Sequence, residues 1–370
     1  MRSGEKRIEL FINSLQSGGA EHQLCILANF LVEKGYQVTV STINTAKDHY
    51  ELSPLVTRSR ICKTNTSYLG KIIRVFLHFQ FTSCDCLIVF CQRNSYYALR
   101  SLSWRRRRPM IICGERNFQS SPGKYEDILF SRYYPRMVKS VVCNSYSQAD
   151  YIARRQPSLS EKISTIINYT DLSVYSPKHI VADKTVTKLL VLARFQKQKN
   201  CYRFVQAVSE LRKSTRQRFT VDWYGEHVFN NSSARAYFDG MLELIQKEGV
   251  GDIFRIHDPI RNVPELINQF DAVCLPSLYE GFSNAIAEGI ACGKPMLVSD
   301  VSDNSIMVHD GENGYLFDPK SIESIVCVLD RFLNLSASQQ IQMGRKSREI
   351  AEALFDKEAF VDAYIRLIDD

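Results

Sequence analysis

No stretch of this 370-residue chain approaches the roughly 18 apolar residues that a membrane span requires. The opening residues, MRSGEKRIEL, hold no apolar signal core, so the sequence reading places the protein in the cytosol. No Gly-x-Gly-x-x-Gly follows the first strand-like run. The nearest approach to a phosphate loop, around Gly289, Gly293 and Lys294, has the wrong spacing and lacks the Ser or Thr that would hold magnesium. Dinucleotide dehydrogenases and P-loop enzymes are thereby excluded. Metal-ligand spacing is missing as well: the seven histidines form no motif, and Cys84, Cys86 and Cys91 have neither a second pair nor a histidine at ligand distance. No metal and no cofactor is expected. Eleven cysteines is an odd number, and Cys86, Cys113, Cys143 and Cys274 lie inside strand-like runs. They read as reduced core thiols rather than a disulfide framework.

What is present is an alternation of short β-rich apolar runs with helical segments, which argues for α/β architecture with parallel sheets covered on both faces. The expected strands are 7–15, 37–43, 86–91, 110–113, 140–144 and 162–167, then 188–195, 219–224, 253–257, 272–275, 295–299 and 315–317. Two such series imply two Rossmann-like domains, 1–178 and 179–354, joined near 175–184 where Ser-Pro-Lys-His breaks the pattern. The tail 355–370 reads as an amphipathic helix.

The most informative stretch is EGFSNAIAEGIACGKP, residues 280–295. It follows the strand-like AVCLPS and passes into a helical segment closed by Gly293. Glu280 and Glu288 are thereby set at a strand's carboxyl end and on the next helix. In a doubly wound sheet ligands sit there, and the amides of Gly281, Phe282 and Ser283 would point from a positive helix end towards an anion. A carboxylate one turn further in accepts both hydrogen bonds of a ribose diol. Spacing alone fits equally well a strand, turn and helix with two solvated glutamates.

The flanks LPSxxEGF and ACGKPMLVSD extend the Glu-x7-Glu pattern over more than twenty positions, and there the chain resembles the retaining glycosyltransferases of family four, which have the GT-B fold. The resemblance implies two Rossmann-like domains facing a central cleft, an acceptor-binding first domain, a nucleotide-sugar-binding second domain and a terminal helix crossing back onto the first. It implies Glu280 on the transferred sugar's hydroxyls, Glu288 on the ribose, and Gly281, Phe282, Ser283 and Asn284 around the donor. Arg194 and Lys199, five apart in ARFQKQKN, match the family's cationic pair for the diphosphate. No Asp-x-Asp occurs anywhere, so fixed cations take the part that a held metal plays in the other common glycosyltransferase fold. Ala193 and Asn200 stand where the family has glycines, which puts the backbone shape of that loop in question.

Elsewhere the resemblance is thinner. Gly18 and Gly19, in SLQSGGAEHQL, resemble the family's glycine-rich first loop, although a plain turn before a helix would read the same way. Gly225 resembles its turn after the donor domain's second strand. Asn168-Tyr-Thr-Asp171 resembles its Asn-Gly-x-Asp, with Tyr169 at a position where a left-handed backbone would be costly. Glu115-Arg116-Asn117 replaces a common histidine, which makes Arg116 a candidate for phosphate or acceptor contact.

Charge is uneven. Residues 1–178 carry 25 Lys+Arg against 13 Asp+Glu, net +12, and the remainder carries 22 against 27, net −5, restoring the overall +7. The basic half includes Trp104 followed by Arg105 to Arg108, and the run from Lys71 to Phe79 mixes cations with large apolar groups. Each cation near an anionic bilayer gains about 1 kcal/mol, so a peripheral membrane position is expected. No motif supports nucleic acid. The reading is a metal-independent transferase moving a hexose or N-acetylhexosamine from a UDP-type sugar, with retention, to a lipid-linked oligosaccharide in O-antigen or capsule assembly. A UDP-sugar epimerase of the same fold and a non-catalytic carbohydrate- or partner-binding relative are the alternatives.

Overall fold

Most strands feed a helix that returns over the sheet, and the result is two parallel sheets in two compact units. The computed structural model describes residues 6–16, 18–45, 47–116, 123–178, 185–226 and 232–369. Ser17, Asn117 and the 179–184 part of the anticipated join lie outside them.

The first unit comprises Met1–Tyr169 with Lys357–Asp370. Its strands are β1 (Arg7–Ile12), β2 (Gln37–Thr42), β3 (Thr57–Arg60), β4 (Cys86–Phe90), β5 (Met110–Glu115), β6 (Ser140–Cys143) and β7 (Ile163–Thr165), in the order 3-2-1-4-5-6-7. Alternation along β1 sorts its side chains between two layers. Ile8, Leu10 and Ile12 pack with Leu24, Leu27 and Leu31 of α1 (Gly19–Glu33), whereas Phe11 turns to the other face and meets Phe79 of α2 (Tyr68–Phe81) edge-on at 4.9 Å. α3 (Gln92–Leu102) lies in that second layer. The helix Lys357–Asp369 completes the first layer, burying Phe360, Val361, Tyr364 and Ile368.

The second unit is Thr170–Asp356, with strands β8 (Thr187–Leu192), β9 (Phe219–Tyr224), β10 (Phe254–His257), β11 (Ala272–Leu275), β12 (Met296–Ser299) and β13 (Gly314–Phe317) in the order 10-9-8-11-12-13. It begins ahead of the anticipated boundary at 178, because the preceding loop is tied to it. The Arg348 guanidinium donates to the carbonyls of Tyr175 (2.8 Å) and Ala291 (2.7 Å), and Asn268 brackets Ser176 and Lys178.

Two differences from the sequence reading have simple causes. β3 reads Thr-Arg-Ser-Arg, with no apolar residue to mark it, and exists through its backbone ladder with β2 and the Arg58–Asp48 ion pair at 2.9 Å. β1 and β8 end before the expected 15 and 195, because Leu15 and Phe195 are loop residues buried in the core, which composition cannot tell from strand. The eleven cysteines are free thiols, and burial pushes Cys86 and Cys113 up to about 12. No helix among the described residues is long and apolar enough to cross a membrane, and no group of three or more His, Cys, Asp or Glu among them could hold a metal ion.

Candidate functional site

In the second sheet the order reverses between β8 and β11, and at such a switch point the loops leaving the two strands diverge and open a crevice at their carboxyl ends. β8 leads into Arg194 and Lys199. β11 leads into Glu280 and the helix Asn284–Ala291. The predicted lysine and carboxylate therefore meet because of topology, across more than eighty residues of sequence.

A short 3₁₀ turn, Lys197–Lys199, carries the lysine and is clipped to the opposite loop at two points. Gln198 Nε2 donates to the Tyr279 carbonyl at 2.8 Å, and the Leu278 amide donates to the Gln198 carbonyl at 2.8 Å. Between those clips Lys199 Nζ stands 2.5 Å from Glu280 Oε1. The pair is largely withdrawn from solvent, with side chains 18% and 8% exposed. The backbone shape questioned above is achieved without glycine. Asn200 takes the left-handed conformation (φ 59°, ψ 34°), which asparagine tolerates better than most residues. Its side-chain amide donates to the Pro319 carbonyl at 2.7 Å and holds it there. Ala193 is buried, and its carbonyl accepts from Trp223 Nε1 at 2.7 Å.

Arg194 differs from Lys199 in being open. Its side chain is 54% exposed and its Nε is 3.8 Å from the Glu226 carboxylate, a contact at the surface that contributes little to stability. The guanidinium is thus available to a diphosphate. Gly225, beside Glu226, has a packing reason for its identity: a Cβ there would stand 2.1 Å from the Ala193 carbonyl oxygen.

Helix Asn284–Ala291 supplies the amides. Ser283 caps it, accepting from the Ile286 amide, and no protein acceptor among the described residues takes the N–H groups of Gly281, Phe282 or Ser283. Phe282 contributes its backbone alone, since its ring is buried edge-on against Phe355. One turn along, Glu288 is half-buried and hydrogen-bonded with the Tyr175 phenol. Burial dominates over that bond and pushes its carboxyl up to about 7. Lys294, just past the helix, is almost fully buried and donates to the Phe270 carbonyl at 2.9 Å, anchoring the turn rather than facing a ligand.

The first unit departs from expectation. Arg116 is buried at 6% exposure and committed inside the fold: it donates to Asn168 Oδ1 at 3.0 Å and to the Tyr364 hydroxyl, and its guanidinium lies 4.1 Å over the Phe90 ring. It ties the carboxyl end of β5 to the last helix and is not presented to a phosphate or acceptor. Tyr169 avoids the left-handed conformation and is a core residue, its backbone paired both ways with the Gln23 side chain at 2.9 and 2.7 Å. Gly18 and Gly19 do open α1, but the Gly18 amide donates to the Tyr50 hydroxyl at 3.3 Å and the Glu21 carboxylate folds back over Gly18. An acidic group already answers the positive end of that helix.

Three contributors went unseen in the sequence. Ser302, at φ 52°, accepts from the Glu280 amide at 3.2 Å; Glu226 faces Arg194; Tyr175 supports Glu288. Glu115 is fully buried against the Tyr134 hydroxyl, with its carboxyl up at about 7 from burial. Its mark in the sequence is a charge at the end of an otherwise apolar strand.

Residues 176–350 match the sequence model of the family described as glycosyl transferases group 1. The chain is 27% identical over 188 residues to the D-inositol 3-phosphate glycosyltransferase of Paenarthrobacter aurescens, covering 48% of this chain and 45% of that protein. It is 23% identical over 316 residues to the N-acetylgalactosamine-N,N'-diacetylbacillosaminyl-diphospho-undecaprenol 4-alpha-N-acetylgalactosaminyltransferase of Campylobacter jejuni, covering 80% and 81%. The first curated relatives are matched over less than half of their own length. In fold, the chain superposes on the Anabaena protein HepE, solved with UDP and glucose, at a TM-score of 0.81 and 15% identity over 98% of this chain and 99% of that one. Residues 176–350 thus carry the pattern of the glycosyl transferases of group 1, and the chain has the GT-B fold.

Proposed function

We propose that the protein transfers a hexose or N-acetylhexosamine from a nucleoside diphosphate sugar, of the UDP type, to a hydroxyl of a lipid-linked oligosaccharide, with retention and without a metal. The observation that carries this is the convergence at the β8/β11 switch of the open Arg194, the Lys199–Glu280 pair and the unbonded amides of Gly281 to Ser283. Together they make a site for a diphosphate with a sugar beside it. Glu288, a turn away, accepts from the ribose diol. As the bond from the anomeric carbon to the phosphate oxygen breaks, charge grows on the diphosphate. Arg194, Lys199 and the amides stabilise that charge more than they stabilise the bound donor, which is the condition for acceleration. The acceptor oxygen bonds to the anomeric carbon on the face the phosphate leaves, and its proton passes to the departing phosphate oxygen. Glu280, held by Lys199 and Ser302, fixes the sugar's hydroxyls. The absence of Asp-x-Asp in a sequence that supplies fixed cations supports metal independence. The Campylobacter relative's diphospho-undecaprenol acceptor supports the lipid link.

At the membrane the exposed cations of the run from Arg105 to Arg108 are Arg106, Arg107 and Arg108. Arg105 and Arg108 are engaged with the backbone: Arg105 Nη1 donates to the Thr82 carbonyl at 2.8 Å and Arg108 Nε to the Leu102 carbonyl at 2.9 Å. The test is transfer from a panel of nucleotide sugars to lipid-linked acceptors with and without excess EDTA, with the product's anomeric configuration read by NMR. A retained configuration at an undiminished rate is expected. An inverted product, or a rate abolished by EDTA and restored by magnesium or manganese, overturns the respective part of the reading.

A further inference from the structure

Thirteen large hydrophobic side chains are exposed among the described residues, and seven of them fall in 68–104: Tyr68, Leu69, Ile72, Ile73, Leu77, Phe81 and Trp104. Six belong to α2. Leu69, Ile73, Leu77 and Phe81 recur every four residues and form one outward stripe, although the helix already buries Val75 and Phe79 on its inner side. A helix apolar on both sides is one whose outer face has an occupant in the working state.

Beside that stripe, between α2 and α3, lies a pocket of about 550 Å³, a volume ordinary for a ligand site. Ile72, Val75, Phe76 and Tyr97 give it apolar walls, and Trp104 stands at its rim with 79% of its surface exposed. Three cations line it, Lys71, Arg93 and Arg100, and no acidic residue does. None of the three is ion-paired with a carboxylate among the described residues. Lys71 Nζ donates to Asn44 Oδ1 at 3.3 Å, and the Arg93 guanidinium stands 5.7 Å from the Tyr97 ring centre. Both stay beside the pocket, on its polar edge.

Apolar walls with cations alone at the edge specify an amphiphile: an alkyl or prenyl chain ending in an anionic group. A sugar phosphate would leave the walls unfilled, and a neutral lipid would leave the cations unanswered. The exposed stripe continues from the pocket along the same helix, so a bilayer covering the stripe would deliver a lipid to it. We propose that this pocket binds the phosphate and adjoining chain of the lipid that carries the acceptor sugar. The assignment rests on the lipid-linked acceptor of the proposed function and adds the place where the lipid is held.

Trp104 allows a test that needs no turnover, because the only other tryptophan, Trp223, is fully buried. The whole protein in neutral detergent is titrated with a long-chain polyprenyl phosphate, the same chain as free alcohol, inorganic phosphate, and phosphatidylglycerol in mixed micelles. A saturable blue shift of Trp104 is expected with the polyprenyl phosphate at least tenfold below the concentration the alcohol requires, and no shift with inorganic phosphate. Arg93→Glu with Arg100→Glu removes the preference for phosphate over alcohol. Ile72→Asp, at an exposed position, weakens both. Equal affinity for phosphate and alcohol, or an equal response to phosphatidylglycerol, overturns the assignment in favour of a general apolar or membrane surface. Donor binding, followed by thermal shift on the same preparation, separates the two readings. A donor that stabilises the protein while Trp104 is silent sinks the pocket alone. A Trp104 response with no donor binding sinks the transferase alone.

Discussion

The two units share a sheet design but treat the carboxyl ends of their strands in opposite ways. In the second, the groups there are left open or paired only with each other: Arg194 is more than half exposed, and three amides of the Gly281–Ser283 turn have no protein acceptor among the described residues. In the first, the comparable polar groups are buried and turned inward, Arg116 onto Asn168 and Tyr364 and Glu115 onto Tyr134. Even so, Glu115 Oε2, Arg116 Nε and Asn144 Oδ1 are buried there without a hydrogen-bond partner among the described residues, and the unit's exposed apolar face lies elsewhere, on α2. A strand end is therefore open to a ligand only where its charged groups and amides reach the surface.

The largest expected effect would break or secure that contrast. Lys199→Ala should lower kcat at saturating donor by roughly 10²–10³, the loss typical of a transition-state donor. Arg116→Ala should leave kcat within about a factor of two at a temperature where both proteins are folded. If the two variants lose activity alike, the units do not differ as described.

Next in size is a pH effect. Glu288 titrates at about 7, and its ionised form, which prevails above that pH, is the better acceptor for the ribose hydroxyls. Donor KM should therefore rise about tenfold from pH 8 to pH 6, one pKa unit corresponding to a factor of ten. Glu288→Gln should raise KM at pH 8 and flatten the profile. A parent profile that is level across pH 7 counts against Glu288 as the ribose ligand.

Arg116→Ala should instead show in stability. Stripping Asn168 and Tyr364 of a buried donor costs about 1–3 kcal/mol, and for a unit of this size each kcal/mol lowers Tm by about 2–4 °C. Of similar size, but dependent on pH, is the effect at Glu115. Its folded pKa of about 7 lies above the unfolded value near 4.5, so its contribution to stability is fully present below 4.5 and is lost as the pH rises through 7. Glu115→Gln should melt higher than the parent at pH 8 and not at pH 5. An advantage that is the same at both pH values would show that ionisation of Glu115 is not the cause.

Much of this was legible in the sequence, for reasons that differ by residue. Arg194, Lys199, Glu280 and Glu288 stand out because their neighbours set them on strand-to-helix turns, where pattern and position coincide. Asn200 looked like a departure, and the structure shows why it is tolerated: a left-handed position accepts asparagine when its side chain has the Pro319 carbonyl to hold. Arg116 could not be read correctly. Whether an arginine after a strand faces solvent or core depends on what packs over it, here a helix almost 250 residues away. β3 and Tyr175 were invisible for the same reason, since ladder partners and long-range hydrogen bonds leave no local pattern.

The helix Lys357–Asp369 has a consequence for how the protein is made. Phe360, Val361, Tyr364 and Ile368 are core residues of the first unit, yet the ribosome adds them after the whole of the second. During synthesis the second unit has every residue of its own core in hand first, reversing the usual order in which domains mature from the N-terminus. The earlier-made sheet must wait with the Ile8–Leu10–Ile12 face of β1 incompletely covered, a period in which it needs shielding from other chains. A released chain ending at Asp356 should accordingly resist protease within the second unit while remaining open to cleavage within the first, and restoring the last helix should close that window.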